Sequence, residues 1–248
     1  MTGSPAKPFR HFSFFHLWDA LSPDLQECPI CFLRRKGLEK QLDDYFYEKV
    51  SDPGMNASLV QSLGFSFEAM KYAMQKPDPL GMSLTYNLIA CSISDRLKKG
   101  DWELKPSSPC PILKQANQSE HSYLQEMRLH FFESDFRDRY QASFGLCLHH
   151  LRVVLALMTD SSDRKWLMTQ EETKITVLGA ELAKFARKTS YLNTEPFGPE
   201  KDAWQRAGRK FFQSPERPGL PWSLKTKSSF FRRILLKLKK LFSSVAFS

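Results

Sequence analysis

The feature that most constrains the fold of this chain is an internal duplication. Cys28-Pro-Ile recurs as Cys110-Pro-Ile at an offset of 82 residues. Further along, Gly64 and the residues around it align with the surroundings of Gly145 at an offset of 81 residues. The alternative is chance similarity between short strings. Because two separate anchors agree within one residue, the sequence predicts two related units of about 80 residues each.

The pattern of apolar residues is helical along most of the chain, and glycines and prolines fall at the edges of the periodic segments. Sustained strand-like alternation is absent from the sequence. These patterns predict an all-α protein, a helical bundle built from the two related units plus C-terminal helices. The predicted helices cover residues 31–50, 65–74, 80–99, 112–141, 146–159, 164–191 and 200–213.

The same patterns divide the chain into three regions. We expect an N-terminal amphipathic segment at 1–27, in which Phe12, Phe15 and Trp18 form the buried face. The helical metal-binding-type domain at 28–213 comprises repeat one (28–104), repeat two (110–191) and a closing helix (200–213). A proline-containing linker and a basic amphipathic tail helix follow at 214–248.

Two short motifs suggest a metal site. Cys28-x-x-Cys31 opens one predicted helix and Cys147-x-x-His150 opens another. The dipole at a helix N-terminus favours a thiolate, and residues at i and i+3 share one helical face. Three thiolates and one imidazole form a common closed zinc site. The sequence therefore predicts that Cys28, Cys31, Cys147 and His150 bind zinc.

Comparison of the two halves indicates how that site is assembled. The first half has Ser66 and Ala69 where the second half has its Cys-x-x-His motif, and the second half has Leu113 in place of a second cysteine. If each site combined ligands from both halves, one site would be complete and the other, at Cys110, would have lost its ligands. We therefore expect one intact site that joins the halves.

Other assignments of these residues remain open from sequence alone. His149 is an alternative to His150, and His11 or His16 is an alternative fourth ligand. Cys91, in an apolar run, is expected to lie in the core. A thioredoxin-like interpretation of the Cys-x-x-Cys motif would need a βαβ context, which the sequence lacks.

Signatures of common enzyme classes are missing from the sequence. It contains no glycine-rich phosphate loop, no Gly-x-Ser-x-Gly elbow and no His-Glu-x-x-His motif. Four protein ligands would also leave no open position on a catalytic zinc ion. The adjacent pairs Asp43-Asp44 and Glu171-Glu172 are interpreted as solvent-exposed.

The positive charge is concentrated near the C-terminus. The chain has 36 Lys+Arg and 27 Asp+Glu, and residues 221–248 contain seven basic and no acidic side chains. The predicted tail helix combines an apolar stripe with this charge, which is typical of helices that lie on an anionic membrane surface. Docking of the helix on the protein body and binding to nucleic acid are the alternatives, nucleic acid being the less favoured. The expected membrane-surface residues are Phe231, Arg232, Arg233, Ile234, Leu235, Lys237, Leu238, Lys239, Lys240, Leu241 and Phe242.

Several of these motifs together resemble a bacterial family of unknown function, domain-of-unknown-function family 6062. The resemblance runs from about Cys28 to Phe212, and the motifs that carry it are Cys28-Pro-Ile-Cys31, Gly64-Phe65, Cys110-Pro111, Gly145-Leu146-Cys147-Leu148 and Asp202-Ala203-Trp204-Gln205-Arg206-Ala207. It implies an all-helical, metal-binding protein without an established activity. The sequence departs from the pattern at Ser66, Ala69 and Leu113, which puts a second metal site in doubt.

The functional hypothesis from sequence is a non-enzymatic helical protein with one structural zinc ion, acting through an unidentified protein partner. The alternatives are a thiol-redox or metal-responsive sensor that uses Cys28 and Cys31, and an iron–sulfur protein. Five cysteines without a secretory signal or a transmembrane segment lead us to expect a cytoplasmic protein with reduced thiols. Its tail would place it on the inner membrane face.

Overall fold

The structure is a computed structural model that describes residues 10–75, 78–189 and 194–211. These residues contain helices and no strand, which confirms the predicted all-α bundle. They all belong to one compact unit. The α-helices are α1 (Phe12–Ala20), α2 (Pro29–Asp44), α3 (Pro53–Gln61), α4 (Phe67–Ala73), α5 (Pro79–Lys98), α6 (Pro111–His130), α7 (Ser134–Ala142), α8 (Leu148–Leu157), α9 (Ser161–Lys188) and α10 (Ala203–Phe211). A π-helical segment (Tyr45–Lys49) continues α2, and a 3₁₀ turn (Pro199–Asp202) precedes α10.

Local sequence signals explain where most helices begin. Four helices, α2, α3, α5 and α6, begin with proline. Proline has no backbone N–H, and it loses no hydrogen bond there because N–H groups in the first turn have no intrahelical acceptor. The carboxylates of Asp52, Asp78 and Asp160 accept hydrogen bonds from backbone N–H groups of α3, α5 and α9. The Asp52-Pro53-Gly54 sequence, which we expected to end a helix, therefore also begins the next one.

The helix predicted over 112–141 is two helices in the structure. Its continuity breaks at Phe131–Glu133, where Glu133 adopts an extended backbone with ψ of 133°. The break is stabilised by tertiary contacts, since Phe131 is fully buried and its carbonyl accepts a hydrogen bond from Arg137. No glycine or proline marks this point, so the sequence pattern alone runs through it.

The helices of the first half start at positions that recur in the second half at a nearly constant offset. The starts of α2 and α6, and of α5 and α9, differ by 82 residues, while those of α3 and α7, and of α4 and α8, differ by 81. Gly64 before α4 and Gly145 before α8 both have left-handed φ angles, of 107° and 79°. This conformation is easily adopted only by glycine. Helices α2 and α6 pack against each other at the centre of the described bundle.

The buried side chains form two clusters. The first core contains Cys28, Cys147 and residues of α1, α2, α6, α7, α8 and α9, and the second core contains Cys110 and residues of α2, α3, α4 and α6. Each core therefore contains the cysteine of one Cys-Pro motif. The two Cys-Pro motifs open helices at different cores of the bundle.

Two sequence predictions about the burial of apolar side chains and Cys91 are wrong. In α1, Phe14 and Leu17 are buried, whereas Phe12 and Phe15 are 69% and 50% exposed and only Trp18 of the predicted face is half-buried. Aromatic residues lie on both faces of α1. The face that packs against the bundle is the one with Phe14, whose ring contacts that of Phe136 on α7.

Cys91 is exposed, although its apolar neighbours predicted a core position. Helix α5 buries the face formed by Gly81, Thr85 and Ile89. Since successive helical residues are about 100° apart, Cys91 lies on roughly the opposite side from Ile89. No helix of the described ranges is long and apolar enough to span a membrane. The predicted tail residues Phe231–Phe242 lie outside the described residues.

Candidate metal centre

The N-termini of two helices meet at the first core. Cys28 is the residue that caps α2, and Cys147 is the residue that caps α8. Neither cysteine side chain makes a capping hydrogen bond to its own helix. Both sulfur atoms instead face the site that the two helix ends share, where the helix dipoles favour negative charge.

Four side chains converge at this point and form what we call the cysteine–histidine cluster. Its members are Cys28, Cys31, Cys147 and His150. The Nδ1 atom of His150 lies 3.4 Å from the sulfur of Cys28, 3.4 Å from that of Cys31 and 3.2 Å from that of Cys147. The Cys31 and Cys147 sulfurs are 3.6 Å apart. The structure thus brings together all four predicted ligands, close enough to hold a metal ion.

These distances match the edges of a tetrahedron around one ion. With metal–sulfur bonds of about 2.3 Å and metal–nitrogen bonds of about 2.0 Å, tetrahedral geometry requires edges of about 3.8 Å between sulfurs and about 3.5 Å between sulfur and nitrogen. The observed sulfur–sulfur and sulfur–nitrogen separations of 3.2–3.6 Å lie within a few tenths of an ångström of these values. The donor set and its spacing therefore fit a single four-coordinate ion.

Burial determines the chemistry of the thiols. Cys28, Cys147 and His150 are buried, and Cys31 is partly exposed. Burial, followed by the hydrogen bonds from Cys147 and Cys31, raises the pKa of the Cys28 thiol well above its ordinary value. A buried thiol of this kind keeps its proton until a bound metal ion replaces it.

A carboxylate orients the histidine of the cluster. The Nε2 atom of His150 lies 2.7 Å from Oε1 of Glu120 on α6. This hydrogen bond assigns the imidazole proton to Nε2 and leaves the Nδ1 lone pair directed at the three sulfurs. Burial acts to lower the pKa of His150, but hydrogen bonds to Cys31 and Glu120 outweigh it, and the pKa is raised. Carboxylates commonly support metal-binding histidines in this way.

Glu120 is itself held by a buried arginine. Arg34 on α2 places its Nε 2.6 Å from Oε2 of Glu120, and it also donates to Glu68 on α4 and to Asn117 on α6. With His150, this network joins α2, α4, α6 and α8. Sequence analysis missed Glu120 and Arg34 because neither belongs to a motif. Glu120 lies in a polar stretch of α6, and Arg34 begins the basic run Arg34-Arg35-Lys36, so neither stands out in the sequence.

A second buried ion pair supports the loop that leads into Cys147. Glu171 is 1% exposed, and its Oε2 lies 2.6 Å from Nζ of Lys210 on α10. Its Oε1 accepts hydrogen bonds from the hydroxyl of Tyr140 and, at 2.9 Å, from the backbone N–H of Leu146. The prediction that Glu171 is solvent-exposed is therefore wrong, whereas its neighbour Glu172 is exposed.

The alternative histidine ligands lie outside the cluster. Nε2 of His149 is 3.9 Å from Oε1 of Glu120, and this side chain does not join the three cysteines. His11 caps α1 by accepting a hydrogen bond from the N–H of Ser13, and His16 is exposed. Among the described histidines, the geometry selects His150 as the partner of the cysteines.

One family model matches part of the chain. Residues 96–217, close to half of the chain, match the model of DUF6062, a family of unknown function. Cys147 and His150 lie within the matched residues, as do Glu120, Glu171 and α10, whereas Cys28 and Cys31 precede them. No curated protein and no solved structure matches the chain.

Proposed function

We propose a function from the site itself, because the family model that matches residues 96–217, DUF6062, describes a family of unknown function. The protein is a non-enzymatic helical module with one structural zinc ion at the cysteine–histidine cluster, and it acts through a protein partner. The single observation that carries this proposal is the convergence of the four ligand atoms, with four of their six separations close to the edges of a tetrahedron. All four lie within 4.8 Å of one another.

The donor set favours zinc over other metals. Thiolates select soft or borderline ions, and three sulfurs with one imidazole nitrogen in tetrahedral geometry are typical of structural zinc. An iron–sulfur cluster would place several metal and sulfide atoms among the same ligands. Ligand atoms that all lie within 4.8 Å of one another suit a single ion better than a cluster.

The ion would act as a structural link between the halves of the domain. It would join the N-terminus of α2 to that of α8, two helices whose capping residues, Cys28 and Cys147, are 119 positions apart in the chain. A link between residues so distant restricts the unfolded chain, so binding free energy becomes folding free energy. We also infer that the halves are repeats. The recurring helix starts and the two left-handed glycines support this inference.

A metal-responsive thiol sensor is the second candidate, and the partial exposure of Cys31 favours it. In this scheme, peroxide would oxidise the Cys31 and Cys147 thiolates to a disulfide. Their two electrons would reduce the peroxide to hydroxide or water, and the ion would leave. Burial raises the pKa of Cys28, which argues against Cys28 and Cys31 as the reactive pair and favours Cys31 and Cys147, whose sulfurs lie 3.6 Å apart.

The test is metal analysis of protein purified without a metal-binding tag, with a matched pair of variants. Cys28→Ser removes a ligand, whereas Cys110→Ser changes the corresponding buried capping residue of α6. We expect about one zinc per chain in the unmodified protein and in Cys110→Ser, and loss of zinc in Cys28→Ser. Absence of zinc from the unmodified protein, or equal zinc in both variants, would refute the proposal. A brown chromophore with bound iron would select the iron–sulfur alternative.

Membrane association is proposed for the tail on the strength of its sequence. The interspersed apolar and basic residues of 231–242 suit an anionic lipid surface on the cytoplasmic side of a membrane. Co-sedimentation with vesicles containing anionic lipid tests this idea. A full-length variant with Lys237, Lys239 and Lys240 changed to glutamate should remain in the supernatant. Binding equal to that of the unmodified chain would exclude the tail as an anchor.

A further inference from the structure

The metal centre has a structural counterpart at the second core. At the offsets of 82 and 81 residues that relate the helix starts, Cys28, Cys31, Cys147 and His150 correspond to Cys110, Leu113, Ser66 and Ala69. Cys110 caps α6 with φ −53° and ψ 124°, close to the −58° and 126° of Cys28. Ser66 caps α4 with φ −59° and ψ 158°, close to the −71° and 162° of Cys147. The backbone of the site is therefore present twice.

The side chains around the ligands also correspond. The same offset relates Glu120, which supports the histidine, to Leu38, and relates Arg34 to Ala116. Leu38 and Ala116 are fully buried, and both belong to the second core together with Ala69. Leu113 packs against the same core. Cys31, His150, Glu120 and Arg34 thus all have apolar counterparts, and these four counterparts lie together.

This joint replacement has a physical reason. Without an ion, a carboxylate or guanidinium in the second core would be a buried charge without its full set of partners, which is costly. Leucine and alanine at those positions instead contribute apolar burial. The loss of three of the four ligands, together with the supporting carboxylate and arginine, is the pattern expected where packing has taken over the structural role of an ion.

We propose that the Cys110 end of the bundle is a latent zinc site, equivalent to the cysteine–histidine cluster, in which an apolar core now replaces the metal. This inference rests on the proposed function, because it takes the cysteine–histidine cluster as the zinc-binding example. It follows that only one end of the described bundle depends on metal. Chelation should increase amide hydrogen exchange at the N-termini of α2 and α8, and leave exchange at the N-termini of α4 and α6 unchanged.

The test restores the ligands in the full-length protein. The variant Ser66→Cys/Ala69→His/Leu113→Cys completes a Cys₃His set with Cys110. We expect zinc or cobalt stoichiometry to rise from about one to about two ions per chain. Adding Cys110→Ala to this variant is the control and should return the value to about one.

A single substitution that disturbs the core less provides a second test if the buried Ala69→His change prevents folding. Ser66→Cys alone should place a thiol beside Cys110, as Cys147 lies beside Cys28. Mild oxidation should then form a disulfide between the introduced thiol and Cys110, detectable by mass spectrometry after digestion. The exposed Ser83→Cys variant is the control and should not cross-link to Cys110.

The outcomes separate this inference from the proposed function. A folded triple variant that still binds one ion would overturn the latent site while leaving the zinc proposal intact. If the triple variant does not fold, failure of Ser66→Cys to cross-link would overturn it. If the unmodified protein contains no metal, the zinc proposal is refuted. Cross-linking of Ser66→Cys to Cys110 would then still test whether the second core has the same backbone geometry as the cysteine–histidine cluster.

Discussion

The role of Glu120 can be tested without removing a metal ligand. Glu120→Gln keeps the shape of the side chain, and the amide oxygen can still accept a hydrogen bond from Nε2 of His150. It removes the charge that lies 2.7 Å from that nitrogen and 2.6 Å from Nε of Arg34. Loss of such a supporting group typically costs 10- to 100-fold in metal affinity. That range corresponds to about 1.4–2.8 kcal/mol of binding free energy.

The assay is competition for zinc against a chelator of known affinity, with the cobalt absorption spectrum as a second readout of ligand geometry. Glu68→Gln is the matched control, because Glu68 pairs with the same Arg34 from α4, whereas Glu120 is the carboxylate on the imidazole of His150. We expect a smaller loss of affinity in Glu68→Gln than in Glu120→Gln. Unchanged affinity in Glu120→Gln would refute the reasoning. Equal losses in the two variants would show that the arginine network, and not orientation of the imidazole, sets the affinity.

Three further predictions concern the supporting structure. Lys210→Met leaves the Glu171 carboxylate buried without the cation that pairs with it, and should destabilise the fold by about 3–5 kcal/mol in urea unfolding. A double variant that also carries Glu171→Gln should recover part of this stability. If it recovers none, the loss does not come from the ion pair. Gly145→Ala should destabilise the fold and weaken zinc binding, because φ is 79° there and an added Cβ would collide with Glu171. The hydrogen bond from Lys188 lowers the pKa of Glu200 to about 2. Since the folded-state pKa lies below the unfolded value of about 4.3, this stability is present above that value and is lost as pH falls towards 2. The stability difference between the natural protein and Glu200→Gln should shrink over that interval, and a difference independent of pH would contradict the assignment.

The convergence of the four candidate ligands was predictable because its signals are local. Each motif places two ligands one helical turn apart at a helix N-terminus, and the sequence marks both helix starts with proline or glycine. The duplication then supplied the long-range information, since comparison of the halves indicated that Cys28 and His150 belong to one site. Local pattern and internal repetition together predicted a pairing between residues far apart in the chain.

The supporting residues could not be found in the same way, because tertiary contacts alone distinguish them from their neighbours. Glu171 and Glu172 are adjacent in sequence, and only the arrival of Lys210 on α10 determines which of them is buried. Glu120 likewise lies in a polar stretch of α6 and acquires its role from α8 and Arg34. Helical periodicity and amino-acid composition contain no information about such tertiary partners.

Helix α10 contacts both chain segments that lead into the candidate metal ligands. Nζ of Lys210 lies 3.3 Å from the carbonyl of Phe144, three residues before Cys147, and Arg209 donates at 3.0 Å to the carbonyl of Gln26, two residues before Cys28. The two ligand segments are thus held by protein contacts that do not involve the ion. A site organised before binding loses less conformational entropy when the ion enters. Zinc affinity should therefore depend on α10, although this helix contributes no ligand to the cysteine–histidine cluster.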